Sequence, residues 1–186
     1  MPEYVFGYGS LVTEPARPDR PAPLVRRLPG ARRVLGVAMD NRVDVPGYKY
    51  FRDAADGSRP AAFVAFADLV DAPSPGAPPV NGVCVPVGEG TLAALDARER
   101  NYDRVDVTGR IEDPPGRTWA YVGSRAGRER FARGAAAGAI VVPRAYVEAV
   151  QAGFRALGPA EHRAFLESTD FGGVPVWALE RVDLPG

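Results

Sequence analysis

Glu3-Tyr4-Val5-Phe6-Gly7-Tyr8-Gly9-Ser10-Leu11 opens the chain with a mostly apolar run that meets two glycines one residue apart. Residues 3–8 read as a short first strand, and Gly7 and Gly9 deliver it into a tight turn. That spacing invites the dinucleotide-binding fingerprint, which requires a third glycine three positions after the second and a helix opening there. Val12 stands at that position, and the chain runs on through Pro15, Pro18, Pro21, Pro23 and Pro29. Prolines so placed interrupt any regular element, so residues 13–30 read as mostly loop and the fingerprint fails on context.

Outward from the turn, strands are expected over Val34–Met39, Ala61–Val70 and Val80–Val87, with Pro86 arguing for an edge or a bend in the last. Residues 41–60 and 71–79, punctuated by glycine and proline, read as irregular excursions within a single domain spanning 1–186. Leu92, Leu95 and Glu99 recur at helical spacing and predict a short helix over Thr91–Tyr102. Val105–Val107 and Arg117–Val122 follow as strands. The most regular apolar stripe, Tyr146, Val147, Val150, Phe154 and Leu157, predicts a core-packed helix opening at Pro143 and stopped by Gly158 and Pro159, with a second short helix through Phe165 and Leu166. This order favours an antiparallel α+β sheet or small barrel over alternating βαβ units.

Composition narrows the function classes. At 186 residues, 46% hydrophobic and 25% charged, the chain is an ordinary globular length and mixture. Lys+Arg and Asp+Glu both total 23, so there is no overall basic field to recruit nucleic acid or an anionic membrane. No apolar run reaches the roughly 20 residues of a membrane helix, and a cytoplasmic protein without a signal peptide is expected. Cys84 is the only cysteine, which excludes an intrachain disulfide, and monomer and homodimer both stay open. Lys49 is the only lysine; every other basic residue is arginine.

The chemistry-bearing residues are few. No Gly-Lys-Ser/Thr occurs, and Ser10 is not in a Gly-x-Ser-x-Gly elbow. His162 is the only histidine, so a Ser/His or Cys/His hydrolase would depend on a residue in the late helical region, and a zinc site lacks the His/Cys ligands. Carboxylates remain for acid/base work, and composition alone does not choose among them.

Val5-Phe6-Gly7-Tyr8-Gly9-Ser10-Leu11, then Gly82-Val83-Cys84-Val85, then Leu95-Asp96-Ala97-Arg98-Glu99 and Tyr102-Asp103-Arg104, together resemble the gamma-glutamylcyclotransferase superfamily in order and separation. Pro143-Arg144-Ala145-Tyr146, with Gly153 beyond, resembles the late helix of its glutathione-related branch, in which the tyrosine faces the substrate. The resemblance covers most of the chain. It implies a mixed, mostly antiparallel small β-barrel with flanking helices, no cofactor and no metal, and a small gamma-glutamyl compound as substrate.

On that resemblance Glu99 is the acid/base residue and the Val5, Phe6, Gly7, Tyr8, Gly9, Ser10, Leu11 stretch is the substrate cradle. Glycines there expose backbone N–H groups that can surround a carboxylate or a developing oxyanion. Tyr8, Tyr121 and Tyr146 are expected to line the pocket, and Ser10 to bind rather than attack. Arg98 and Arg100 are expected to face outward, and Asp96 to be a structural hydrogen-bonder. The implied reaction is release of 5-oxoproline from a gamma-glutamyl amine, dipeptide or glutathione-like compound by attack of the substrate's own α-amine. Two alternatives stand beside it: removal of a gamma-glutamyl protecting group in natural-product biosynthesis, and a non-catalytic ligand-binding protein that keeps the barrel.

Overall fold

A computed structural model describes residues 1–13 and 24–186 of the chain. The opening run is strand β1 (Glu3–Gly7), which leads through Tyr8 and Gly9 into one 3-10 turn over Ser10–Thr13. β1 runs between β6 (Val80–Val87), antiparallel to it, and β8 (Arg117–Gly123), parallel to it. β2 (Leu24–Leu28) and β7 (Tyr102–Asp106) complete this sheet in the order β2-β6-β1-β8-β7.

A second sheet is built on the long antiparallel pair β3 (Ala31–Asp40) and β5 (Phe63–Asp71). Three short strands, β9 (Ile140–Pro143), β10 (Thr169–Asp170) and β11 (Val176–Trp177), add parallel contacts of two residue pairs each, in the order β10-β3-β5-β9-β11. β4 (Lys49–Asp53) and β12 (Leu179–Asp183) form an antiparallel ribbon. Among the described residues the α-helices are α1 (Glu89–Arg98), α2 (Arg125–Ala136), α3 (Arg144–Ala156) and α4 (Pro159–Glu167). This is the expected mixed α+β architecture, its long ladders antiparallel. Among the described residues no helix is long and apolar enough to cross a membrane.

The two sheets share one core. Phe6 of β1, Leu28 of β2, Leu69 of β5, Cys84 of β6 and Ala120 of β8 pack into a single buried cluster, so the sheets curl around common contents like an incomplete barrel. Each large side chain so buried stabilises the fold by about 1.5–3 kcal/mol relative to exposure. Burial also pushes the Cys84 thiol up to about 11, which keeps it protonated and unreactive. α3 buries Val150 and Phe154, and Phe154 stacks on Phe165 of α4 at 4.6 Å between ring centroids. The helix also backs the 3-10 turn: a Cβ at Gly153 would stand 3.0 Å from the Val12 side chain.

Several sequence expectations are corrected. The loop expected over 13–30 lies outside the described residues at 14–23, and residues 24–28 form β2, pulled into regular structure by a five-residue ladder with β6. The excursion over 41–60 contains β4, whose partner β12 comes from the far end of the chain. The helix expected over Thr91–Tyr102 begins earlier and stops at Arg98, because Tyr102 already donates its N–H back to Glu99 (2.9 Å) and starts β7. α2 and β9 were not expected at all. Pro86 sits opposite Tyr4 in β1, beyond the point where β2 pairing begins at Leu24 opposite Cys84.

Candidate active site

The turn after β1 is held from behind. Gly9 accepts the N–H of Val12 (3.1 Å), and the Tyr8 carbonyl accepts Nε of Arg33 (2.7 Å), a wholly buried guanidinium 4.7 Å from the ring centre of Phe154 and 4.8 Å from that of Phe165. Gly7 has no room for a side chain, since a Cβ there would stand 2.6 Å from that of Leu11; one at Gly9 would stand 3.2 Å from the Tyr146 hydroxyl. Among the described residues nothing accepts the backbone N–H groups of Gly9, Ser10 and Leu11. They are left as open donors at the edge of a recess, the arrangement that accommodates a carboxylate or an oxyanion.

Glu99 faces the same recess. As the residue capping the C-terminus of α1 it leaves the helical conformation (φ −87°, ψ 51°) while its N–H still reaches Leu95 (2.8 Å). Leu92 and Leu95 bury against Val5 and Tyr121, which seats the end of α1 over the first sheet. Glu99 and the Phe6–Leu11 segment line one small recess, and Ser10, Glu99, Tyr102 and Tyr146 also line a larger chamber outside it, of about 710 Å³. Glu99 therefore stands at the junction of an inner and an outer compartment.

Four tyrosines close the inner recess, and their hydroxyl protons are not equally free. Tyr8 donates to the Tyr121 carbonyl (2.5 Å), Tyr121 donates to Asp96 (2.7 Å), and Tyr102 donates to the Ala67 carbonyl (2.8 Å). Tyr146 instead accepts the Ala67 N–H (3.0 Å), so its own proton is uncommitted. Burial raises all four above the ordinary phenol value, Tyr146 to about 12, and keeps them protonated at neutral pH. Of the four, Tyr146 is thus the tyrosine with a hydrogen bond to give to a bound molecule.

Among solved structures, one named gamma-glutamyl cyclotransferase is similar over 94% of this chain and 94% of its own, with a TM-score of 0.50 at 15% sequence identity. This chain has the gamma-glutamylcyclotransferase-like fold. No protein-family model matches the sequence, and no curated protein does.

Within this gamma-glutamylcyclotransferase-like fold, the sequence-predicted residues distribute unevenly around the recess. Phe6, Gly7, Tyr8, Gly9, Ser10, Leu11, Tyr121 and Tyr146 line it together with Glu99, whereas Val5 packs into the cluster of Leu92, Leu95 and Tyr121 and does not reach it. Arg98 and Arg100 do not face outward as expected: both line the outer chamber, and Arg98 Nε pairs with Glu99 Oε1 at 3.0 Å. Asp96 is the hydrogen-bonder it was read as. His162 lies on α4 beside Phe165 and lines neither compartment.

Three residues were missed, the recess tyrosine Tyr102 among them. Ala67 forms the recess wall between Tyr102 and Tyr146, and its neighbour Asp68 is a fully buried carboxylate that accepts the N–H groups of Gly123 (2.7 Å) and Leu69 (2.7 Å) and pairs with Arg128 (2.8 Å). The strand bulges at Gly36, opposite, where a Cβ would meet the Asp68 side chain at 2.9 Å. An aspartate inside the apolar run Phe63–Val70 was the only available sign, since a buried charge requires partners.

Proposed function

We propose that the protein releases 5-oxoproline from a gamma-glutamyl compound. The observation that carries this reading is the convergence of Glu99, the open N–H groups after Gly7 and the free Tyr146 hydroxyl on one recess. A turn that only ended a strand would not need a carboxylate opposite it.

Glu99 takes a proton from the substrate's α-ammonium, and the freed amine attacks the γ-carbonyl carbon to close a five-membered ring. The tetrahedral oxyanion is met by the backbone donors or by Tyr146, collapse breaks the bond to the leaving amine as Glu99 returns the proton to that nitrogen, and the second proton shed by the ring nitrogen goes to the departing amine, which leaves as an ammonium. Because nucleophile and electrophile belong to one molecule, the protein mainly holds the folded-back geometry, and orientation of this kind lowers a barrier by several kcal/mol. Proton transfer by a positioned carboxylate adds about 10²–10⁴-fold. The inner recess takes the glutamyl part and the outer chamber the leaving amine.

The size of that chamber, about 710 Å³, also favours a second reading, in which the same chemistry removes a gamma-glutamyl group from a larger natural product. Incubating the protein with gamma-glutamyl amino acids, gamma-glutamyl amines and glutathione, with 5-oxoproline followed by mass spectrometry, tests both. Release is expected; its absence across the panel would refute catalysis.

A further inference from the structure

Arg33, on β3, is a fully buried cation whose partners are all neutral. Its Nε donates to the Tyr8 carbonyl (2.7 Å), Nη1 to the Thr169 hydroxyl (2.6 Å), and Nη2 to the Asn81 carbonyl and, more distantly, to the Asn81 side-chain oxygen (3.4 Å). Among the described residues no carboxylate pairs with it. Burial lowers the group to about 9, and the ionisable groups that act on it are Tyr8 and Tyr146, both phenols that stay protonated at neutral pH. The rings of Phe154 and Phe165 attract the charge without neutralising it.

Tying β6 and β10 to β3 requires hydrogen-bond donors, not a net charge, and a buried charge without an anion is costly. What the charge reaches is the turn after β1. The Tyr8 carbonyl that accepts Nε belongs to the same planar trans peptide unit as the Gly9 N–H, so the two groups point in opposite directions, the carbonyl back to Arg33 and the N–H away from it. A positive charge on the carbonyl end polarises the unit and makes its N–H a stronger donor. That N–H is one of the open donors at the edge of the recess, which Gly9 lines. Arg33 itself lines neither compartment.

We propose that Arg33 is a positioning residue whose charge, relayed through the Tyr8–Gly9 peptide, is the counter-charge for an anionic group of the molecule bound in the recess. This rests on the cyclisation reading of the same site. The anion that the protein does not supply arrives with the ligand, and the buried guanidinium is matched only in the complex. The recess therefore discriminates between a carboxylate and a neutral group of the same shape, and it does so through a residue that touches neither.

The test is calorimetric binding of 5-oxoproline and of its neutral carboxamide to the wild type, Arg33→Met and Arg33→Lys near pH 6, with 5-oxoproline release from gamma-glutamyl-alanine followed separately. The wild type is expected to bind the acid about tenfold more tightly than the amide, the scale of one charge-assisted hydrogen bond. Arg33→Met should bring the two affinities within about twofold of each other by weakening the acid alone. Arg33→Lys, which keeps the charge without the planar fork, should retain most of the preference. A purely structural role for Arg33 would weaken acid and amide alike, and that result overturns the assignment. So does an undiminished preference in Arg33→Met, equal binding of acid and amide by the wild type, or binding of neither. If Arg33→Met does not fold, the wild-type comparison and Arg33→Lys decide, since loss of the preference in a folded Arg33→Lys also overturns it. Each of these results leaves cyclisation standing where gamma-glutamyl-alanine is turned over; no release by the wild type overturns the cyclisation reading itself.

Discussion

Replacing Lys49 by methionine should stabilise the protein at neutral pH. Lowering a lysine from its ordinary 10.5 to about 8 corresponds to about 3.4 kcal/mol at about 1.4 kcal/mol per tenfold change in proton affinity, all of it opposing the folded state when the group is charged. Against this stand the contacts of the ammonium with Phe66 and Tyr48, together about 1–1.5 kcal/mol, and methionine keeps part of that because its thioether also packs well on rings. The net expectation is a gain of about 2 kcal/mol at pH 7. Its pH dependence follows from linkage. Below about pH 8 both folded and unfolded wild type carry the proton and the gain is constant; between 8 and 10.5 the unfolded chain alone binds it, so wild-type stability rises with pH and the gain disappears. Urea unfolding of both proteins at several values across pH 7–10.5, followed by circular dichroism, measures the difference directly, and other titrating groups cancel in the comparison. A variant less stable than wild type at pH 7, or a gain that does not change across that range, would refute the account of Lys49 as a desolvated cation.

Tyr146→Phe removes the one tyrosine hydroxyl in the recess with a proton to give and leaves the Ala67 N–H without its acceptor; kcat/KM for 5-oxoproline release should fall by about 10–100-fold and stability by about 1 kcal/mol. Asp68→Ala strips acceptors from the N–H groups of Gly123 and Leu69 and from Arg128; unfolding in urea should show a loss of about 3 kcal/mol, since each buried orphan donor costs about 1–3 kcal/mol. Unchanged midpoints in Asp68→Ala would mean that the strand beneath the recess does not depend on that carboxylate.

Much of this architecture is legible in the residues. β1, β3, β5, β6, β8, α3 and α4 carry apolar runs or stripes of the right period, and the glycine pair after Phe6 marks the turn. What was hidden is of two kinds. α2, Arg125–Ala136, has Phe131 as its single large apolar residue, and it approaches the fold through Gly127 and Gly134, where a Cβ would stand 2.6 Å from the Asn101 carbonyl and 2.9 Å from Phe63; packing by absence of side chains leaves no hydrophobic period. Its one local sign is Ser124, whose side chain caps the helix by accepting the Gly127 N–H. β4 owes its existence to β12, more than a hundred residues later, and no local pattern announces such a ladder. Lys49 enters the chamber on that strand, which is why a residue conspicuous as the only lysine gave no hint of its place.

The same division holds at the candidate site. Glu99 and the Gly7–Leu11 turn were singled out together on a resemblance, and the fold brings them to one recess. Their surroundings have two origins: the arginines beside the glutamate follow from where α1 stops, four residues short of the helix that periodicity suggested, and Lys49 arrives on β4.

The most direct measurement is 5-oxoproline release from gamma-glutamyl-alanine by wild type and Glu99→Gln, with circular dichroism and thermal unfolding run on both. Glutamine keeps the shape of the side chain and removes the base, so the account predicts release by the wild type and at least a 100-fold lower rate, about the lower end for loss of a positioned proton carrier, from a variant with an unchanged fold. Turnover by Glu99→Gln close to that of the wild type would contradict it.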